Sequence, residues 1–158
     1  MRGMSKGIFR FLVLTLVSGL VACSNPTSDP VLPLKIISYN VWFDIESGVQ
    51  RYPKILDVLS RENADVICLQ EVTKEFMTAL AEHQGMSGYQ LTTYETGAWY
   101  FNVTLTRQVP ASRQTVAFPT SMGRQCPIVT LLWQGQPVQV ANVHLESNNE
   151  DTPIRKKQ

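Results

Sequence analysis

Three apolar runs in the sequence each end in polar side chains suited to phosphate chemistry: Asn40 follows LKIISY, Gln70 and Glu71 follow DVICL, and Asn142 and His144 follow VQVA. A carboxylate at the end of such a run suits Mg²⁺, a hard cation that takes one or two protein carboxylates and completes its shell with water and phosphate oxygens; Glu71 is the candidate. An imidazole beside it can donate to a phosphate oxygen or a leaving group and so stabilise developing charge, which is the work expected of His144. An Asn orients an attacking water, or the carboxylate that activates it, without adding charge. Taken singly each residue has a plainer reading, a solvated cap or a structural histidine; it is the repetition at three strand ends that points to a site. His83 lies in a polar stretch and reads as surface.

For these side chains to meet, the runs must be strands whose carboxyl ends share one edge, as in open α/β sheets. Residues 34–42 (LKIISYNVW) read as a strand covered on both faces. Residues 51–62 place Ile55, Leu56 and Leu59 on one side of a helix, with Pro53 in its first turn. Residues 65–70 read as a second strand, followed by a helix capped by Thr73 with Phe76, Met77 and Leu80 inward. From Tyr89 the period becomes two: Phe101, Val103 and Leu105 alternate with polar residues, then come strands at 115–118, 128–133 and 138–145, with Gly135 turning a hairpin between the last two. Two βα units followed by a run of strands predict an α/β sandwich. Residues 153–158 read as the opening of another helix, and with nothing after them to cover the sheet the chain reads as an incomplete domain.

At 158 residues, 44% hydrophobic and 17% charged, the composition excludes disordered and fibrous classes. Residues 1–22 carry Arg2, Lys6 and Arg10, then an apolar stretch over 11–20 that is too short to span a bilayer, and read as an export signal. The ending Leu20-Val21-Ala22-Cys23 resembles the lipobox of bacterial lipoproteins, which implies cleavage before Cys23 and acylation of its thiol. Ser24 then favours the outer membrane, so the expected location is a lipid anchor on the bacterial outer membrane, in the periplasm or at the cell surface. Residues 23–33, rich in Ser, Asn, Asp, Thr and Pro, read as a solvated tether, and the domain as 34–158. Without the signal, 11 basic residues face 13 acidic ones, a balance of −2 that excludes avid sequence-blind DNA binding. Cys68 and Cys126 read as small buried hydrophobes rather than as a disulfide.

Residues 38–42 (SYNVW), 69–72 (LQEV) and 142–147 (NVHLES) resemble, in order and spacing, three successive motifs of the endonuclease/exonuclease/phosphatase (DNase I-like) superfamily. Together with Tyr100-Phe101, FPTSMGR at 118–124 and RKKQ at 155–158, they are most similar to its tyrosyl-DNA phosphodiesterase members. The resemblance covers 34–158. It implies a four-layer αββα sandwich, of which this chain would hold the N-terminal part, and metal-assisted hydrolysis of phosphoesters. Carried over, Glu71 would bind Mg²⁺ or Mn²⁺, Asn40 would help position nucleophile and phosphate, and His144 would steady the transition state, with Asn142 a further catalytic candidate from its strand end. Ser147 would support His144 or touch phosphate, and Arg124 and Tyr100 would meet phosphate or substrate. Superfamily members also carry a later Gly-Asp-x-Asn strand end, whose Asp activates water, and a final Asp-His pair; neither occurs before Gln158. The expected function is therefore a divalent-metal-dependent phosphodiesterase or nuclease that is inactive as this chain alone, with a non-catalytic binding lipoprotein as the alternative. The expected partners are a phosphodiester of a nucleic acid, a nucleotide or a phospholipid head group, and outer-membrane lipid through Cys23; no protein partner is expected.

Overall fold

The computed structural model of the chain describes residues 32–93 and 98–158. The signal peptide, the acylation of Cys23 and the tether as far as residue 31 lie outside the described residues. At the start of the described chain, the Leu32 carbonyl accepts a hydrogen bond from the Trp133 indole at 2.8 Å. The polypeptide is thus held against the domain two residues before the expected boundary at 34.

The elements run β1 (Ile36–Asn40), α1 (Ile45–Glu62), β2 (Val66–Val72), α2 (Lys74–Glu82), β3 (Gln90–Thr93), β4 (Phe101–Thr106), β5 (Ser112–Ala117), β6 (Gln125–Trp133), β7 (Gln136–Ala141) and the short α3 (Thr152–Arg155). A four-stranded sheet has the order β1-β2-β4-β3, with β1 and β2 parallel and the other pairs antiparallel; β5-β6-β7 form a second, antiparallel sheet. Period-two alternation along β2 divides the core. Ile67 and Leu69 face α1 and α2 and pack with Leu56, Leu59 and Phe76, whereas Val66 and Cys68 pack with Val129, Leu131 and Val140 of the second sheet. Helices, first sheet and second sheet are the layers of the expected α/β sandwich that the described residues supply. Both cysteines are buried and free, as expected, and burial pushes the Cys68 thiol up to about 11.

Four expectations are corrected. Strand β1 is shorter than 34–42 and, among the described residues, is not covered on both faces: β2 is its one neighbour there, and Ile36 and Tyr39 are about half exposed. Helix α1 starts six residues before 51, because Asp44 caps it by accepting from the Glu46 N–H. Pro53 consequently sits inside the helix, where it withdraws one N–H from the ladder. Strand β6 begins at Gln125, three residues before the expected 128, and runs through Pro127. Strand β7 ends at Ala141 and not at 145: the Asn142 N–H still donates to the carbonyl of its register partner Pro127 at 2.9 Å, but a proline has no N–H with which to return the bond. The hairpin at Gly135 is as expected: Gln134 and Gly135 have φ of 50° and 79°, the two left-handed residues of a type I′ turn.

Candidate functional site

The site is built where β2 ends. Leu69 pairs with Val103 and Val72 with Phe101, so Gln70 and Glu71 oppose the single residue Asn102. This is a bulge, and it turns a side chain out of the ladder's alternation. Glu71 occupies it with φ of 57°, a left-handed conformation unusual for a residue with a Cβ. Its Oε1 stands 3.5 Å from His144 Nε2, and its Oε2 accepts from the Phe43 N–H at 3.3 Å.

Around His144 the proton positions follow from donor chemistry. Arg124 Nη1 lies 3.0 Å from His144 Nδ1, and a guanidinium only donates, so Nδ1 accepts and the ring proton sits on Nε2, facing Glu71. Burial and the nearby Arg124 charge hold the imidazole below its ordinary value, against the opposite pull of Glu71. The ring is therefore a neutral Nε2–H donor. Arg124 is 6% exposed, and its guanidinium lies 5.4 Å from the centroid of the Tyr100 ring. Tyr100 is stacked on Phe43 at 4.9 Å and lies 6.5 Å from the His144 ring.

What holds Arg124 in place is a buried carboxylate. Glu146 is 2% exposed; it accepts from the Ser121 and Met122 N–H groups at 2.8 and 3.0 Å and from the Thr120 hydroxyl. Burial alone would raise this carboxyl, but those hydrogen bonds and the Arg124 charge together hold it below the usual carboxylate value. Residues 120–123 thus wrap an internal anion, and the turn, with φ of 75° at Gly123, delivers Arg124 to His144.

The expected residues divide as follows. The structure brings together Glu71, His144, Arg124 and Tyr100. Asn142 is close by, but its carboxamide is committed to protein partners: Nδ2 donates to the Leu69 and Val103 carbonyls at 3.1 and 3.0 Å, and Oδ1 accepts from Gln70 Nε2 at 2.7 Å. It ties the second sheet to β2 and β4. The Asn40 side chain is directed at its own loop, accepting from the Trp42 N–H at 2.9 Å. Ser147 is exposed and reaches Met122 Sδ at 3.7 Å, with no hydrogen bond to His144. His83, expected at the surface, has a largely covered ring with Nε2 3.1 Å from Asp57 Oδ1. Sequence reasoning assigned no part to Gln70, Glu146 or Phe43. Only the structure singles out Glu146: over 142–146 the apolar residues Val143 and Leu145 are exposed while Asn142 and Glu146 are buried, the reverse of an ordinary strand.

Among the described residues no group of three or more His, Cys, Asp and Glu side chains could by itself cage a metal ion. One carboxylate fits Mg²⁺ or Mn²⁺ held partly by water and substrate phosphate. On the Arg124 side of His144 lies a small cavity of about 20 Å³, lined by Tyr100, Asn102, Arg124 and His144.

A sequence profile described as the Endonuclease/Exonuclease/phosphatase family matches residues 37–155. Among solved structures, a humanized D. rerio TDP2 carrying 14 mutations is 27% identical, with a TM-score of 0.71 over 79% of this chain and 56% of its own. TDP2 from C. elegans is 24% identical, with a TM-score of 0.69 over 77% of this chain and 38% of its own. A mannosyl-6-phosphatase from Bacteroides thetaiotaomicron shares the fold at 14% identity, with a TM-score of 0.60 over 75% of this chain and 54% of its own. The chain thus spans about half, or less, of the length of these solved structures. No curated protein sequence matches it.

Proposed function

The chain belongs to the Endonuclease/Exonuclease/phosphatase family, and from that membership we propose that it carries the Glu71–His144–Arg124 side of a divalent-metal-dependent phosphoester hydrolase acting on phosphodiesters. The observation that carries this reading is the Nε2–H of a neutral His144 pointing toward the Glu71 carboxylate, with Arg124 behind the ring. A phosphoryl group beside them would meet a metal-binding carboxylate and a hydrogen-bond donor side by side, the pair that charge development on phosphate oxygens requires.

Mg²⁺ or Mn²⁺ bound at Glu71 would neutralise the phosphoryl oxygens and polarise phosphorus toward attack. The chain's own residues do the rest of the positioning. His144 donates from Nε2 to a phosphoryl oxygen, Arg124 fixes the tautomer that makes this possible, and the Phe43 N–H holds the carboxylate's second oxygen. Tyr100, under the Arg124 guanidinium, forms the wall on the ester side. Solved relatives include a D. rerio TDP2 complexed with a single-strand DNA product, which supports a nucleotide or nucleic-acid phosphodiester for this chain. A single carboxylate leaves the activation of water without a base in the described cluster, so we propose slow turnover by this polypeptide alone. Lipid anchoring through Cys23, with an envelope location, belongs to the same proposal on the sequence of residues 1–24.

The test is hydrolysis of bis(p-nitrophenyl) phosphate by the protein with Mg²⁺ or Mn²⁺. Glu71→Gln should lower the rate by about 10²–10³, the scale of losing a transition-state electrostatic partner, and chelation should abolish it. Hydrolysis that survives both treatments would refute the reading.

A further inference from the structure

Strand β6 runs the whole way from the candidate site to the point where the described chain begins. Arg124, immediately before β6, lies 3.0 Å from His144, and Trp133, its last residue, donates its indole N–H to the Leu32 carbonyl at 2.8 Å. The nine residue steps from Arg124 to Trp133, at about 3.3 Å each, come to about 30 Å. Gln134 Nε2 donates to the same Leu32 carbonyl at 3.4 Å. The polypeptide therefore joins the domain at the Gln134–Gly135 hairpin, and β1 and β2 run parallel from that end toward Glu71.

The segment that reaches this end is short. Cleavage before Cys23 leaves residues 23–31, nine in all, between the lipid and Leu32. Fully extended, nine residues reach at most about 30 Å. If the Glu71–His144 edge faced the bilayer, Leu32 would stand about 30 Å away from it, and every one of those residues would have to be drawn straight at the cost of its conformational entropy. With the hairpin end toward the bilayer, none needs to be. Apolar exposure alone does not choose between the ends. At the site, Trp42 and Trp99 are 52% and 61% exposed; around the hairpin, Leu32, Val109 and Leu132 are 61%, 67% and 57% exposed. Val109 follows β4, whose Thr106 pairs with Val66 at the start of β2, and Leu132 pairs with Pro137 beside the hairpin. Reach decides for the second group.

We propose that the hairpin end, with Leu32, Val109 and Leu132, rests on the bilayer that holds acylated Cys23, and that the Glu71–His144 edge is thereby carried about 30 Å out into the aqueous compartment. This rests on the lipid anchor at Cys23 and on Glu71, His144 and Arg124 as the phosphoryl site. Phosphoesters then reach the site through water, and the head groups of the anchoring bilayer lie beyond it.

The three tryptophans of the chain report on the two ends, Trp133 at the hairpin and Trp42 and Trp99 at the site. Trp42 is fixed there, with its N–H on Asn40 Oδ1 and its carbonyl accepting from Arg51 Nη2 at 2.8 Å. The experiment is fluorescence quenching of the mature acylated protein in phosphatidylethanolamine–phosphatidylglycerol vesicles that carry a nitroxide on the lipid head group. Replacing both site tryptophans, Trp42→Phe with Trp99→Phe, isolates the Trp133 signal. Its difference from the wild type gives the signal of the site end, so no variant of the half-buried Trp133 is needed. Trp133 should be quenched about threefold more than the site pair, as a separation of about 30 Å demands. Val109→Asp with Leu132→Asp should reduce that quenching severalfold while the acyl group keeps the protein on the vesicles. Stronger quenching at the site pair, equal quenching at both ends, or none at either with the protein still bound would overturn the orientation. Trp133 quenching indifferent to the two aspartates would overturn the docked face. A mature wild-type protein whose mass shows no acyl group would overturn the anchor and the orientation together. Loss of Glu71-dependent hydrolysis with the Trp133 pattern intact would count against the phosphoryl site alone, whereas retained hydrolysis with a quenched site end would count against the orientation alone.

Discussion

Two left-handed backbone angles, at Glu71 and Trp42, mark the candidate site at the scale of single residues. Each costs about 1–3 kcal/mol in a residue with a Cβ, so each needs a structural reason. For Glu71 the reason is aim: the bulge directs its carboxylate at His144 and not into the sheet's alternation. His144 leads to a pH prediction. Its folded value lies below the ordinary 6.5, so the unfolded chain binds the extra proton first as pH falls. Stability is then full above about 6.5 and declines as pH drops through the window beneath it. The thermal midpoint of the wild type should fall more steeply between pH 7 and 5 than that of His144→Asn; parallel curves would show that the ring is not held neutral. Residue types alone pointed to Glu71 and His144, and the family resemblance added Arg124 and Tyr100. They did not point to Glu146, whose partners are N–H groups 24 and 25 residues away.

Among the elements, α1 shows how a local rule gives way to packing. Its residues include Gly48 and Pro53, both poor in a helix interior, yet Asp44 caps its start and Tyr52 is buried edge-on to Phe76. A Cβ on Gly48 would stand 2.4 Å from the buried Tyr52 ring. Gly48→Ala, ordinarily a gain in a helix, should here cost about 1–3 kcal/mol through overpacking, read as a lower urea midpoint at unchanged slope; a stabilised variant would show that Tyr52 moves freely. Between the sheets, Asn142 is the joint. Asn142→Ala strips partners from the Leu69 and Val103 carbonyls and from Gln70 at once, and should destabilise by about 2–4 kcal/mol given the cost of buried unsatisfied groups. A loss below 1 kcal/mol would mean that water replaces the amide.

Over the whole molecule, one proposal concerns residues outside the described domain. If Cys23 is the acylated N-terminus, the protein expressed in bacteria should partition with membranes and take up labelled palmitate, and Cys23→Ser should do neither; a wild-type protein recovered in the soluble fraction would end that proposal. The order of strands and helices, the inward residues Ile55, Leu56, Leu59 and Phe76, the Thr73 cap and the Gly135 hairpin were all determined by sequence, because each depends on periodicity or on one residue's backbone preference over a few neighbours. Family and layer architecture were equally legible, through motifs whose spacing survives in the chain. Tertiary structure alone decided that β1 lies at a sheet edge among the described residues, that Asn142 joins the sheets, and that Glu146 organises the loop bearing Arg124. Those outcomes depend on which distant backbone groups end up within 3 Å of a buried polar atom, and hydrogen bonding at that range is set by packing, which has no period in the sequence.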